Sequence, residues 1–290
     1  MLPPLTFRFI DGTAVRRLGY GAMRLTGQPG NFGPYEAWDD GKKVLQRALE
    51  LGINFIDTAR AYGPGWNERL IGETLHPYPQ GLFIATKGGV VKKTATERYL
   101  DGSPEGLRRD CEESLKNLRL DCIDLYQLHW VDPGVPLSES VLGLAQLQQE
   151  GKIRLIGLSN ITVKQLEEVR SIARIASVQN RYSVGERQGE PMVAYCAREG
   201  IAFVPYGPLG ADPMKPGAPL ASAEGALADI GRKLGATATQ VALSWLLHRA
   251  PNILPIPGTT SIAHLEENVE AAKLDLEPDQ LHRLDDGVGG

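Results

Sequence analysis

The sequence predicts an eight-stranded parallel α/β barrel, with an N-terminal hairpin and a long loop over the barrel mouth. Two observations carry that reading. Eight short apolar runs alternate with stretches of helical period along the whole chain. Chemically active side chains also recur where those runs end, which is where a (β/α)8 barrel builds its site.

The first two runs, TFRFI and TAVRR, flank Asp11-Gly12, a dipeptide suited to a tight hairpin turn. The barrel-strand candidates follow as LGYGA, INFID, LFIAT, CIDLYQL, IRLIGL, IASVQ, IAFVP and NILPI. Between them the apolar period becomes that of a helix. Leu107, Cys111, Leu115 and Leu118 share one face, as do Leu166, Val169 and Ala173, and later Ile262, Leu265, Val269 and Ala272. Helix starts are expected at Asn67, Ser103, Ser138 and Ser261, each with capping chemistry. A doubly wound sheet would place a glycine-rich phosphate fingerprint after its first strand. The stretch GYGAMRLTG lacks that spacing and runs into no immediate helix, so the barrel is preferred. The Gly- and Pro-rich stretch from Gly207 to Pro219 reads as the mouth loop after the seventh strand. No linker interrupts residues 1–290, which are expected to form one domain.

With 42% hydrophobic and 23% charged residues, the chain has an ordinary globular composition. A formal net charge of −4, without a dense basic cluster, argues against a nucleic-acid surface. No apolar run is long enough to span a bilayer, and MLPPLTFRFIDG lacks the pattern of a secretory signal. Cys111, Cys122 and Cys196 are too dispersed for a disulfide framework or a zinc spacing, so a reducing cytoplasm is expected. Cys111 and Cys196 are expected to pack inside helices.

The run ends are more specific. INFI ends at Asp57, LFIAT at Lys87, IDLYQL at His129, IRLIGL at Ser159-Asn160, IASV at Gln179-Asn180 and IAFVP at Tyr206. Singly, each has a structural reading: a cap for Asp57, a rim charge for Lys87, a core histidine for His129. Together they are expected to converge on one mouth, beside Tyr62 of the Ala-Tyr-Gly stretch. A tyrosine, with a reference pKa of about 10, needs a neighbouring cation to stabilise its anion. Lys87 would supply the cation and Asp57 would orient it. A neutral His129 would bond a carbonyl oxygen and bring it to the phenol. The set lacks a strong nucleophile, and only His129 among five histidines stands at a strand end, which argues against a metal-dependent hydrolase. Proton transfer coupled to hydride transfer from a cofactor suits it best.

These residues lie in stretches that resemble the aldo-keto reductase superfamily: LGYGAMRL, GINFIDTARAYGPGWNE, ATKGG, LYQLHW, GKIRLIGLSN, VQNRYS, FVPYGPLG and IPGTTSIAHLEEN. The resemblance runs through nearly the whole chain and is strongest to bacterial pyridoxal reductase-like members. It implies Tyr62 as general acid and base, Lys87 and Asp57 as its tuning pair, and His129 as the carbonyl-orienting group. It further implies that Ser159, Asn160 and Gln179 bind the nicotinamide carboxamide and that Tyr206 stacks on the ring. Gly21 and Met23 would border the cofactor, and Gly207, Leu209 and Gly210 would cover its pyrophosphate. Its adenosine end would meet Gly258, Thr259, Thr260, His264, Glu267 and Asn268, near the helix start at Ser261. Gly258 and His264 stand where mammalian members carry a lysine and an arginine. NADP(H) is the expected cofactor through Thr259, Thr260 and Ser261, with NAD(H) also possible.

Met23, Trp38, Trp66 and Trp130 are the expected substrate-pocket walls, apolar enough for pyridoxal or another small aromatic or aliphatic carbonyl. Trp38 and Trp66 are read as loop residues. The competing reading is a cofactor-binding redox sensor or regulatory subunit with slow turnover. A monomer is expected.

Overall fold

The computed structural model describes residues 2–210 and 225–287. In chain order its strands are β1 (Thr6–Arg8), β2 (Ala14–Arg16), β3 (Tyr20–Gly21), β4 (Phe55–Asp57), β5 (Phe83–Gly88), β6 (Val90–Lys92), β7 (Arg98–Leu100), β8 (Ile123–Leu128), β9 (Ile153–Ser159), β10 (Ile175–Gln179) and β11 (Ala202–Phe203). The helices are α1 (Trp38–Glu50), α2 (Trp66–Leu75), α3 (Pro104–Leu118), α4 (Leu137–Gln149), α5 (Val163–Val169), α6 (Glu190–Glu199), α7 (Ala226–Leu234), α8 (Ala238–Arg249), α9 (Ile262–Glu270) and α10 (Pro278–Gly287).

The fold is a (β/α)8 barrel. Seven strands form one parallel sheet in the order β3-β4-β5-β8-β9-β10-β11. The eighth expected run, NILPI, closes the ring without forming a regular strand. On one side it exchanges hydrogen bonds with Phe203 through the Asn252 carbonyl and the Leu254 amide, each 2.8 Å. On the other side Gly19 donates to the Pro255 carbonyl at 2.9 Å and Gly21 to that of Pro257 at 3.4 Å. The two prolines have no N–H, so this seam is held only by carbonyls of the closing segment.

Arg17 reinforces the closure. It is fully buried, and its guanidinium donates to the carbonyls of Pro4, Leu247, Ala250 and Ile253. Burial without an acidic partner lowers its pKa to about 10, which still leaves it charged.

Inside the ring, residues of one parity point to the barrel axis. Phe55, Phe83, Ala85, Leu125 and Leu155 form its floor with Phe9 and Val15 of the N-terminal hairpin. Phe9 stacks on Phe83 at 4.7 Å between ring centres, so the β1–β2 hairpin stoppers the lower end. Continuing that parity upward brings Asp57, Lys87, Gln127 and Ser159 to the opposite end. The other parity faces the helices and joins Ile56, Ile84, Tyr126 and Ile156 to the outer core.

Several local expectations are met. Asp11-Gly12 forms the hairpin turn, with Gly12 at φ 88°. Ser103 and Ser261 cap α3 and α9. Cys111 and Cys196 are buried in α3 and α6, and burial pushes both thiols up to about 12.

Others are corrected. Helix α4 begins at Leu137 after Pro136, because Leu137 is drawn into the core, and Ser138 lies within the first turn. Helix α2 begins at Trp66 after the left-handed Gly65, so Asn67 is no cap. Helix α5 ends at Val169, whose carbonyl accepts from Ile172 and Ala173 in a tight turn into β10. Ile262 is 37% exposed at the start of α9, so the buried face of that helix begins at Leu265. The β6–β7 hairpin was not anticipated. Of the expected mouth loop, residues 207–210 are described and 211–219 lie outside the described residues.

Candidate active site

The upper parity layer places charges where the floor places phenylalanines. Asp57 ends β4, and Lys87 lies on neighbouring β5. Lys87 Nζ donates to Asp57 Oδ1 at 2.6 Å and to the Thr58 carbonyl at 2.8 Å, with both side chains buried. Asp57 Oδ2 accepts from Gln179 Nε2 at 2.8 Å and from Gln127 Nε2 at 3.3 Å. One carboxylate thus joins β4, β5, β8 and β10. Gln127 was missed in the sequence, although Leu125, Gln127 and His129 share the parity that would have revealed it. Gly157 leaves room for it: a Cβ there would stand 2.7 Å from Gln127 Cγ and 2.3 Å from Ser177 Oγ.

Tyr62 sits on the turn between β4 and α2. The turn follows the sheet at first, the Thr58 and Arg60 amides donating to the Ala85 and Lys87 carbonyls. Asn67 secures it from behind, accepting from Thr58 Oγ1 at 2.6 Å and donating to the Ala22 and Leu25 carbonyls. Lys87 Nζ lies 5.1 Å from the Tyr62 ring centre, and His129 lies edge-on to that ring at 5.8 Å.

The charge states follow from these surroundings. Burial first, and Asp57 second, hold the Tyr62 phenol above its ordinary value, while Lys87 pulls it down by charge and hydrogen bonding. The sequence reading had Lys87 lower this pKa, and it does oppose the rise, but the net direction is upward. Lys87 itself stays charged, since Asp57 and Tyr62 outweigh its burial. Burial and then the cations Lys87, Lys92 and Arg98 push His129 well below its ordinary value, so its imidazole is neutral. Its Nδ1 is buried without a hydrogen-bond partner. The site therefore offers a protonated phenol, a fixed ammonium and a neutral imidazole.

Behind the Tyr62 turn, the buried Glu68 carboxylate accepts from Thr86 Oγ1 at 2.7 Å and Asn117 Nδ2 at 3.2 Å. Burial raises its pKa above the ordinary value. The folded state therefore keeps this proton to higher pH than the unfolded chain does. The Glu68 contribution to stability is fully present below the unfolded value of about 4.3 and is lost as pH rises through the raised folded value. Glu68→Gln is expected to remove that decline and to raise the urea midpoint at pH 7. An unchanged pH dependence of the midpoint between pH 4 and 8 would contradict this.

A cavity of about 340 Å³ opens above these groups, lined by Asp57, Tyr62 and His129. Ser159, Asn160, Gln179 and Tyr206 line the side across the barrel. Ser159 Oγ donates to the Gln179 carbonyl, and Asn160, at φ 57°, donates to the His129 carbonyl and accepts from the Tyr206 hydroxyl. Thr162 caps α5 in a capping box with Gln165, so Ser159 and Asn160 are not its cap. Gln179 Oε1 accepts no hydrogen bond among the described residues.

Gly21, Met23, Gly207, Leu209, Gly258 and Trp130 also line the cavity. Gly210 donates back to the Gly207 carbonyl in a turn beside it. Thr259, Thr260 and His264 stand outside the lining, at the N-terminal end of α9, with Thr260 and His264 exposed. Glu267 accepts from Thr237 Oγ1 at the start of α8, and Asn268 is buried. Trp38 and Trp66, read as loop residues, instead begin α1 and α2; they pack edge-on at 6.1 Å, outside the lining. The reading also missed cations at the mouth. Arg24, Lys92, Arg98 and Arg181 all line it.

Comparison with known proteins places the chain in a family. Residues 17–287 match the model of the aldo/keto reductase family. The chain is 44% identical over 284 residues to pyridoxine 4-dehydrogenase of Escherichia coli, covering 96% of each protein. A thermostable aldo-keto reductase superposes with a TM-score of 0.83 at 31% identity, over 98% of this chain and 99% of that one. An aldo/keto reductase of Klebsiella pneumoniae, solved with NADP and acetate, gives 0.82 at 27% identity over 97% and 94%.

Proposed function

This chain belongs to the aldo/keto reductase family and is an NAD(P)H-dependent oxidoreductase, and from that premise we propose that it reduces an aldehyde or ketone to an alcohol with Tyr62 as proton donor. The observation that carries the proposal is the Lys87–Asp57 pair at 2.6 Å beside a Tyr62 whose ring meets His129 edge-on at the cavity wall.

The residues present suit a nicotinamide dinucleotide. The amide oxygen of Gln179, unbonded among the described residues, with Ser159 and Asn160 beside it, offers hydrogen-bonding partners for a carboxamide. The Tyr206 ring would lie against the nicotinamide. Gly21, Met23, Gly207, Leu209 and Gly210 would flank the middle of the cofactor. Gly258, Thr259, Thr260, His264, Glu267 and Asn268 would take its adenosine end. NADP(H) is the cofactor supported, since the Klebsiella pneumoniae relative was solved with NADP. When bound, the reduced dinucleotide supplies the hydride that goes to the carbonyl carbon.

The protein's own part is the proton. Neutral His129 holds the carbonyl oxygen against the Tyr62 hydroxyl. Tyr62 gives up its proton to that oxygen as the C–H bond forms, and the phenolate left behind faces the Lys87 ammonium. Solvent then returns the proton. Asp57, with Gln127 and Gln179, keeps the ammonium aimed. Met23 and Trp130 wall the substrate. Pyridoxal is the first substrate to try, given the Escherichia coli relative.

NADPH oxidation should be followed with pyridoxal, 4-nitrobenzaldehyde and methylglyoxal. The raised Tyr62 and depressed His129 values fix the pH dependence. Reduction should be level from pH 6 to 8, with no inflection near the ordinary histidine value, and should fall only as Tyr62 deprotonates at high pH. A rate that halves as pH drops through 6.5 would show that His129 titrates, against this assignment. Absence of turnover with every carbonyl tried would remove the reductase reading itself.

A further inference from the structure

The β6–β7 hairpin grows directly from β5 and hangs over the mouth. In the eight-membered ring, β5 and β11 are four places apart and so lie across the barrel axis from each other. The residues assigned to the dinucleotide gather around β10, β11 and the closing segment. The hairpin is therefore on the far side of Tyr62 and His129, where a substrate would extend away from the cofactor.

That hairpin carries two cations in register. Lys92 pairs with Arg98 across the antiparallel ladder, and both side chains line the cavity. Neither has an acidic partner among the described residues. Lys92 Nζ is spent on neutral carbonyls, those of Gly30 at 2.7 Å and Asn31 at 3.2 Å. Arg98 makes no hydrogen bond or ion pair among the described residues. Asp57 and Arg181, which also line the cavity, are already matched, Asp57 with Lys87 and Arg181 with Glu186. The neighbouring Lys93 pairs with Glu97. Half-burial and Arg98 together depress Lys92, and both cations depress His129. Lys92 is half-buried and Arg98 is exposed, so the hairpin presents two positive charges to the mouth where an incoming anion can meet them.

Resting on the carbonyl-reductase reading, we propose that Lys92 and Arg98 form an anion subsite, and that the substrate carries a carboxylate or phosphate remote from its carbonyl. The two groups share the same chemistry here, a compact anion able to accept charge-assisted hydrogen bonds from an ammonium and a guanidinium.

The test uses three aldehydes that differ at one position: 4-formylbenzoate, its neutral methyl ester, and 4-formylphenyl phosphate. The wild-type enzyme should favour at least one anion over the ester by about tenfold in kcat/KM, chiefly through KM. The preferred anion names the source. Arg98→Gln and Lys92→Gln should each bring that ratio close to one, and Lys92→Arg should restore part of it. Arg98→Gln guards against misfolding, because Lys92 braces the 30–31 loop and Arg98 braces nothing among the described residues. Calorimetric titration with terephthalate, which cannot be reduced, should show the same loss of affinity in both glutamine variants. Turnover of the ester without anion preference, or equal losses on all three aldehydes, overturns the subsite alone. No turnover of any of them overturns the reductase reading with it.

Discussion

Tyr62→Phe is expected to lower kcat for carbonyl reduction by about 10²–10⁴-fold, the usual contribution of a positioned general acid. The substitution deletes one oxygen from a ring that the surrounding turn already holds. Asn67 fixes the turn from behind, and the Lys87 ammonium keeps its place near the ring centre. Dinucleotide affinity should therefore stay within about twofold, since Ser159, Asn160 and Gln179 are untouched. Stopped-flow reduction measured with fluorescence titration of NADPH separates the two effects. A variant that kept near wild-type turnover would show that another group donates the proton.

Lys87→Met should cost both activity and stability. Methionine fills the space but leaves Asp57 buried without its cation, and breaking one side of a buried pair costs roughly 3–5 kcal/mol. For a chain of this size that corresponds to a fall in Tm of about 5–8 °C. The amides of Gln127 and Gln179 still reach Asp57, so the loss should sit at the lower end of that range. Adding Asp57→Asn removes the stranded charge and should restore most of the Tm, while turnover stays lost. Calorimetry of the single and double variants tests this. If the double variant melted no higher than Lys87→Met, electrostatic stranding would not be the cause.

Periodicity exposed the barrel because each strand buries both faces in a short apolar run, and each helix repeats its own period between them. It also placed Asp57, Lys87, His129, Ser159, Asn160, Gln179 and Tyr206 at run ends, and the structure brings all seven around one cavity or directly beneath it. Tyr62, a loop residue with no periodicity of its own, was reached through the chemistry of its neighbours, and the resemblance added its role as general acid and base. Gln127 escaped because it lies one inward step before the strand end, where an amide in an apolar run draws little notice. Lys92 and Arg98 escaped for another reason. VVKKTATERYL interrupts the strand-then-helix rhythm, so its antiparallel hairpin was absorbed into a loop. Asn67 looked like a cap because capping and turn bracing use the same side chain. What separates them is the left-handed Gly65, a matter of backbone conformation at a neighbouring residue.

Arg17 has a consequence in time. Its acceptors at Leu247, Ala250 and Ile253 lie 230 to 236 residues later in the chain. During synthesis the guanidinium emerges early and waits while strand after strand is added beside β3. Until the ribosome has passed Ile253, the open sheet has two unmatched edges, one at β3 and one at its growing end. The molecule therefore depends on the last part of its chain to complete the first, and a stalled nascent chain would expose β3 to whatever other strand reached it.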